Sequence, residues 1–250
     1  MISFCIATYN QLEYVKYQIK VFEKLYKQFK NFEIIFADDG SSDGTTEYIN
    51  SSKFQFDCKS IYISKEGFRK SIVTDMSIRE SNNDYVWLID VDTFISEKSI
   101  EIAKDIINST NMSKTILMGI RKRVDWNKLK ELSPTNDSMN SVVVGDEWRI
   151  INDIPTWKYR NFSGSNVIFR KIDYLESKGF PKHFKGRGYD DYYMVLSMLV
   201  IGCKVKACRN LVSYHILHPN IEASEDNNYK LKQYEKELKE RILKLHGNIL

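Results

Sequence analysis

Two carboxylates, Asp90 and Asp92, end an apolar run in the stretch LIDVDTF, residues 88 to 94. Burying ionised carboxylates beside Leu88 and Ile89 is expensive unless a cation neutralises them. The spacing therefore predicts a cation beside the two aspartates. A second interpretation is that both side chains only cap the turn that follows a strand.

Similar polar clusters follow other apolar runs. The runs ISFCIA, FEIIFA, SIYIS and YVWLI are typical of buried strands, and stretches with helical spacing separate them. This alternation predicts an α/β fold with a Rossmann-like, mostly parallel central sheet and helices on both faces. Ligands bind beyond the carboxyl ends of such strands, so we expect the clusters to share one rim. They are Thr8 to Asn10, Asp38 to Asp43 and Lys65 to Arg69, together with Asp90 to Asp92.

The regular alternation ends near residue 120. A polar stretch from 121 to 140 has few apolar residues at any period, which predicts a mobile or acceptor-side loop. A strand at SGSNVIFRK, a helix over 190–202 and a strand at KVKA follow. The last stretch spaces its apolar residues by three and four, which predicts an amphipathic helix with a Lys-rich face. That helix could pack on the domain or lie on a membrane.

The composition is that of an ordinary globular chain of 250 residues, 42% of them hydrophobic. Lys and Arg exceed Asp and Glu by 37 to 33, a surplus too small to predict nucleic-acid binding. The four cysteines form no CxxC pair, so we expect buried free thiols. No run approaches the roughly 18 apolar residues of a membrane span, and Met1 leads directly into a strand. We expect a cytoplasmic protein, at the inner face of the plasma membrane if the last helix binds lipid.

The motifs IATYN, DDGSSDGT and LIDVDTF, in this order on successive strand ends, resemble those of the family-2 nucleotide-sugar glycosyltransferases. A later segment with FSGSNVIFRK and GRGYDDYY is similar to the Gly-Trp-Gly-x-Glu-Asp region of bacterial chondroitin-polymerase domains and related galactosaminyl- and galactosyltransferases. The resemblance implies the GT-A fold. It also implies a nucleotide-sugar-binding half at 1–120, an acceptor-binding and catalytic half at 121–220, and a helical tail at 221–250.

For the metal site, the resemblance implies that Asp92 ligates a divalent cation. Asp90 would lie against the ribose or reach the cation through water. A histidine in SYHILHP, after the last predicted strand, would complete the set, with His215 favoured over His218. Oxygen ligands suit Mg²⁺ or Mn²⁺, and one imidazole shifts the preference toward Mn²⁺. Either histidine could instead only form hydrogen bonds in a turn.

For the nucleotide, Asp38 matches the position that accepts the uracil N3 proton in related enzymes. Asp39 joins it or organises the turn, as Asp, Ser and Gly often do. The family usually has an Arg-Asn pair where this chain has Thr74 and Asp75. The other residues that match substrate-binding loops are Thr8, Tyr9, Asn10, Gly67, Arg69 and Gly188.

For catalysis, Asp191 in GRGYDD holds the family position of the base. The partial positive charge of a helix N-terminus would keep its carboxylate ionised and ready to accept a proton. Asp190 stands where the family usually has Glu, beside the acceptor. Arg187 replaces a Trp that helps to form the sugar wall, so the identity of the sugar cannot be carried over. Both aspartates could instead only cap the helix.

Trp126, Trp148 and Trp157 are candidates to hold the acceptor, because the apolar face of a sugar packs well on an indole ring. Core packing is the more common role of a tryptophan.

Together these residues predict a metal-dependent, inverting glycosyltransferase. It would move a hexose or N-acetylhexosamine from a UDP-sugar to a carbohydrate acceptor, free or lipid-linked, in surface or capsular glycan synthesis. One alternative is a sugar-phosphate nucleotidyltransferase, although TYNQLEYVK lacks the Gly-rich phosphate loop of such enzymes. The other is a non-catalytic glycan-binding or scaffold domain, against which the retained aspartates argue.

Overall fold

The computed structural model describes residues 1–147, 164–184, 186–218 and 224–246. The strands are β1 (Ile2–Thr8), β2 (Phe32–Asp38), β3 (Asp57–Tyr62), β4 (Tyr85–Asp90), β5 (Thr93–Ile95), β6 (Thr115–Val124), β7 (Val143–Glu147), β8 (Val167–Arg170) and β9 (Lys204–Ile216). The helices are α1 (Leu12–Tyr26), α2 (Thr45–Ser51), α3 (Lys70–Arg79), α4 (Glu97–Ser109), α5 (Trp126–Leu129), α6 (Asn136–Ser141), α7 (Lys171–Glu176), α8 (Asp190–Val200) and α9 (Glu225–His246).

The strands form one sheet in the order β3-β2-β1-β4-β8-β6-β9-β5, with β7 paired to β6. The first four strands in that order are parallel, so the carboxyl ends of β1, β2 and β4 meet at one edge. Beyond them β8 runs antiparallel to β4, β6 is parallel to β9, and β5 is antiparallel to β9. The predicted α/β fold is confirmed, with its parallel pairing concentrated in the N-terminal half.

Helices cover both faces of the sheet because each buries an apolar stripe. In α1, Val15, Ile19, Phe22 and Leu25 follow helical spacing and are at most 2% exposed. This face also carries α2 and α4, and its core includes Phe4, Trp87 and Ile100 among many others. The opposite face carries α3, α7, α8 and the start of α9.

The loop predicted over 121–140 is wrong in part, because the end of β6, helix α5 and most of α6 lie in that stretch. The two short helices form because each has a local cap. Asp125 accepts a hydrogen bond from the Asn127 amide at 3.0 Å, and Thr135 accepts one from the Ser138 amide at 3.0 Å. The boundary predicted at residue 120 falls inside β6, whose pairing to β9 joins the two predicted halves within one sheet.

The predicted strand at KVKA is much longer in the structure. β9 runs 13 residues to Ile216 because β6 pairs along most of it and β5 pairs with its end. His215 therefore lies inside this strand, opposite Thr93, and not in the turn after it.

The C-terminal helix α9 packs its described first half on α8. Leu231 is fully buried, the rings of Tyr234 and Tyr193 stack with centroids 4.0 Å apart, and the Tyr192 hydroxyl donates to Glu235 at 2.7 Å. These contacts favour the packing interpretation for this half of the helix. None of the helices in the described ranges is both long and apolar enough to cross a membrane.

Candidate active site

The loops that follow β1, β2 and β3 are bonded to one another at one rim. The Asn10 amide donates to Ser41 Oγ at 2.8 Å, which joins the first loop to the second. Asp39 in the second loop accepts from Lys65 Nζ at 2.9 Å and from Arg69 Nε at 3.1 Å in the third. The structure therefore brings together the polar clusters that the sequence places on separate strand ends.

Asp38 is held inside the turn that follows β2. Its side chain is fully buried, and its Oδ1 accepts from the Ser41 amide at 2.8 Å and hydroxyl at 2.7 Å. Its Oδ2 accepts from the Thr46 hydroxyl. Both oxygens are thus engaged inside the loop, so Asp38 organises this turn.

Asp39 and Tyr9 both contact Lys65 at this rim. The Lys65 ammonium is 3.5 Å from the centroid of the Tyr9 ring, which is 42% exposed and could stack on a base. Asp39 Oδ2 also accepts from the Arg69 backbone amide at 2.9 Å, so Asp39 is held by one main-chain group and by the side chains of Lys65 and Arg69. Gly40 permits this packing: its φ is +82°, and a Cβ there would lie 2.5 Å from the Lys65 amide nitrogen.

The remaining predicted residues of this rim have less specific surroundings. Thr8 ends β1 with its hydroxyl buried and without a hydrogen-bond partner among the described residues. Gly67 lies in the loop before α3 with a left-handed backbone, φ +74°. Asp75 accepts from the Tyr174 hydroxyl at 2.6 Å and from Arg79 Nε at 2.7 Å, so it stabilises the packing of α3 and α7.

A second cluster lies where β9 passes the end of β4. The Nε2 atoms of His215 and His218 lie 3.6 Å and 3.5 Å from Asp92 Oδ2. One ligand atom from each of the three residues lies within 4.8 Å of the other two. The Ile216 amide donates to the Asp92 carbonyl at 2.9 Å, which fixes the strand against the loop. Both histidines therefore meet Asp92, whereas the sequence favoured one.

The chemistry of this cluster fits a divalent cation. Asp92 Oδ1 is buried and has no hydrogen-bond partner in the described part of the chain, which leaves a lone pair for a ligand. Burial alone would raise the pKa of Asp92, but hydrogen bonds from His215 and His218 hold that pKa well below its ordinary value. One carboxylate and two imidazoles form a donor set that suits Mn²⁺ better than Mg²⁺.

Asp90 forms an ion pair with Lys70 instead of joining this cluster. Lys70 Nζ, at the start of α3, lies 2.7 Å from Asp90 Oδ1 and 4.0 Å from Asp191 Oδ2. Burial disfavours the charged ammonium, yet the carboxylates of Asp191, Asp90 and Asp190 raise the pKa of Lys70 above its ordinary value. Sequence reasoning missed Lys70. The only available signal was a lysine at a predicted helix start next to the KEGFR loop.

Asp190 and Asp191 begin α8, as the sequence predicts. Burial and the neighbouring charge of Asp191 raise the pKa of Asp190 to about 7. Asp191 lies so close to Gly164 that a Cβ there would be 2.3 Å from Asp191 Oδ1. Asp191 Oδ1 itself has no hydrogen-bond partner among the described residues. An ionised carboxylate with a free oxygen can accept a proton from a substrate hydroxyl.

The loop before α8 is anchored by the C-terminal helix. The Asn227 side chain is fully buried and donates to the carbonyls of Gly188 at 3.1 Å and Gly186 at 3.3 Å. The Ser224 amide also donates to the Arg187 carbonyl at 2.7 Å. Gly188 is therefore placed by α9 just before the two aspartates.

Asn166 is a second residue that sequence reasoning missed. Its Nδ2 donates to the carbonyls of Ile120 and Leu211, both at 3.0 Å, and its Oδ1 accepts from Trp87 Nε1 at 3.0 Å. These bonds tie β4, β6 and β9 together behind Asp90. No motif in the sequence marks the residue, because its partners are two carbonyls and one indole N–H on strands that are distant in the sequence.

Trp126 packs mainly in the core. Its ring lies 4.8 Å from that of Tyr14 and 6.2 Å from that of Phe94, centroid to centroid. Trp148 and Trp157 lie outside the described residues.

This fold is that of the GT-A glycosyltransferases. The structure of Staphylococcus aureus TarS residues 1–349, solved with UDP-GlcNAc, superimposes with a TM-score of 0.71 at 14% identity, over 98% of this chain and 67% of that one. A Pyrobaculum calidifontis mannosyltransferase, solved with GDP-Man and Mn²⁺, superimposes with a TM-score of 0.58 at 12% identity, over 86% of this chain and 56% of that one.

The chain belongs to glycosyl transferase family 2, whose sequence profile matches residues 3–174. The chondroitin synthase of Escherichia coli is 23% identical over an alignment 249 positions long, which covers 90% of this chain. The match spans 36% of that protein, so this chain covers about a third of its length.

Proposed function

We propose that this protein is a metal-dependent, inverting glycosyltransferase that transfers a hexose or N-acetylhexosamine from a UDP-sugar to a carbohydrate acceptor. The observation that carries the proposal is the grouping of Asp92, His215 and His218 on the same rim as Asp191. The relatives support a role in surface or capsular polysaccharide synthesis, since one is named a chondroitin synthase.

Each residue has a distinct role in this proposal. Asp92, His215 and His218 hold Mn²⁺, which supplies Lewis-acid stabilisation of the diphosphate leaving group. Tyr9 and Asp39 receive the uracil base. Asp191 takes the proton of the acceptor hydroxyl while the hydroxyl oxygen bonds to the anomeric carbon and the bond to UDP breaks, which inverts the configuration. The TarS complex with UDP-GlcNAc supports a UDP-sugar donor.

Calorimetry with UDP tests the metal dependence. We expect UDP to bind tightly with Mn²⁺ and weakly with EDTA, and Asp92→Asn to remove the difference while the fold remains intact. Equal affinity in EDTA and Mn²⁺ for the parent protein would contradict the metal role.

Product analysis tests the reaction. We expect an α-linked UDP-sugar to give a β-linked product, and Asp191→Asn to lower turnover by about two to four orders of magnitude while UDP-sugar binding survives. An α-linked product would exclude the inverting mechanism. A protein that binds glycan but never cleaves any UDP-sugar would be a binding domain instead.

We propose a cytoplasmic location, with lipid-linked acceptors reached at the inner face of the plasma membrane. Binding of the intact protein to anionic liposomes at low salt tests the membrane contact. If no protein sediments with the liposomes, α9 serves only to pack on the domain.

A further inference from the structure

The ammonium group of Lys70 lies near the carboxylates of Asp90, Asp191 and Asp190. Lys70 Nζ is 2.7 Å from Asp90 and 4.0 Å from Asp191, and Asp190 is the sequence neighbour of Asp191. The side chain of Lys70 is 29% exposed, while the side chains of Asp90 and Asp191 are 24% and 21% exposed. Among the described residues no other cation forms an ion pair with these aspartates. Lys70 is therefore the local counter-charge.

Apolar residues around the two carboxylates make their arrangement depend on the Lys70 ammonium. Lys70, Asp90 and Asp191 line a small, largely enclosed space whose other walls include Leu88, Ile89 and Phe180. Charges beside apolar walls interact more strongly than charges in water. Without the ammonium, Asp90 and Asp191 would face each other with like charges. Asp191 would then keep its close approach to Gly164 but would lose the ammonium beside it.

We propose that Lys70 is a positioning residue for glycosyl transfer, whose ammonium keeps Asp90 and Asp191 in the arrangement that the reaction uses. The inference rests on the proposed function, because it assigns Lys70 to act through the base Asp191. It also gives Asp90 a partner other than the cation, since Asp90 is absent from the group formed by Asp92 and the two histidines.

A double-mutant cycle tests the inference. Lys70→Met removes the charge and keeps most of the length, and we expect kcat to fall by about ten- to a hundredfold with the UDP-sugar Kd within about threefold. Lys70→Arg should restore much of kcat. In an Asp191→Asn background Lys70→Met should lower kcat little further, because the effects of residues that act as a unit are not additive. Lys16→Met, which removes an exposed lysine paired with Glu13, is the matched control.

The same cycle is measured on unfolding midpoints in urea, which need no activity. We expect Lys70→Met to lower the midpoint in the parent protein and to lower it less in Asp191→Asn. The inference is overturned if the losses in kcat of Lys70→Met and Asp191→Asn add in full in the double variant. It is also overturned if Lys70→Met weakens UDP-sugar affinity and leaves kcat unchanged. A parent protein that transfers no sugar contradicts the proposed function instead, and the urea cycle then decides whether the two residues are coupled.

Discussion

Asp191 is in such close contact with Gly164 that one methyl group at residue 164 would move it. We expect Gly164→Ala to lower turnover by about a hundredfold, because a displacement of about 1 Å in a catalytic group has effects of that size. UDP binding should remain, since the glycine touches the base and not the nucleotide loops. Steady-state kinetics and calorimetry on the same preparation measure both. Gly145→Ala is the control, because a Cβ there meets no atom within 4 Å.

The two histidines make separable predictions. If both are ligands, His215→Ala and His218→Ala should each weaken Mn²⁺ binding by about tenfold or more. Manganese titration followed by electron paramagnetic resonance measures the free ion directly. A protein in which only His215→Ala has an effect would restrict the ligands to Asp92 and His215.

Asp190 predicts a dependence of stability on pH. The pKa of Asp190 is raised from its ordinary value of 3.8 to about 7 in the folded protein. At pH values between these two, the folded state therefore binds a proton that the unfolded state has released. The free energy of unfolding must therefore fall as the pH rises through that window. Asp190→Asn removes this cost, so its stability relative to the parent should increase by about 2 kcal/mol from pH 5 to pH 8. Urea unfolding in EDTA at both values measures the change, and a constant difference would contradict the raised pKa.

At this scale the sequence predicts residues that stand in motifs and misses those that act across the fold. Asp92, Asp191 and His215 stand at motif positions, and the structure brings them to one rim. The resemblance assigned the uracil contact to Asp38, and the sequence could not show that both of its oxygens accept hydrogen bonds inside the loop. Lys70 could not be found, because its role depends on how α3 packs beside the end of β4.

Among the elements, strands β4, β6 and β9 are linked by hydrogen bonds to one side chain, that of Asn166. We expect Asn166→Ala to destabilise the protein by about 2 to 4 kcal/mol, because it leaves the buried Trp87 N–H and two carbonyls without partners. Urea denaturation measures the loss. Asn140→Ala, which removes an exposed hydrogen bond to Lys122, is the control and should change little.

The boundaries of most strands and helices could be predicted because their apolar spacing is regular. β1, β2, β4, α3 and α8 lie where the sequence places them. The length of β9 could not be predicted from the sequence, because the middle of this strand carries few buried residues and is stabilised by pairing with strands far away in the sequence. The short helices α5 and α6 were missed for another reason: capping side chains, and not apolar stripes, define them.

For the whole molecule, the packing of α9 has a consequence for truncation. A protein ending before residue 224 would lose Asn227 and Leu231 together, so the loop at Gly188 would lose its anchor. We expect such a protein to show much lower transfer activity than Lys236→stop, which retains these contacts. Equal activities of the two truncated forms would show that α9 does not support the site.

The pairing of β5 with β9 also decides when the proposed metal site can form as the chain folds. Thr93 and His215 are opposite each other in the sheet but far apart in the sequence, whereas β1, α1 and β2 are neighbours. Closing a long loop costs more entropy than closing a short one, and distant strand pairs form slowly. The loops after β1 and β2 can therefore assemble before Asp92 meets His215 and His218. If these three residues bind manganese as proposed, the gain of manganese affinity during refolding would mark completion of the native sheet.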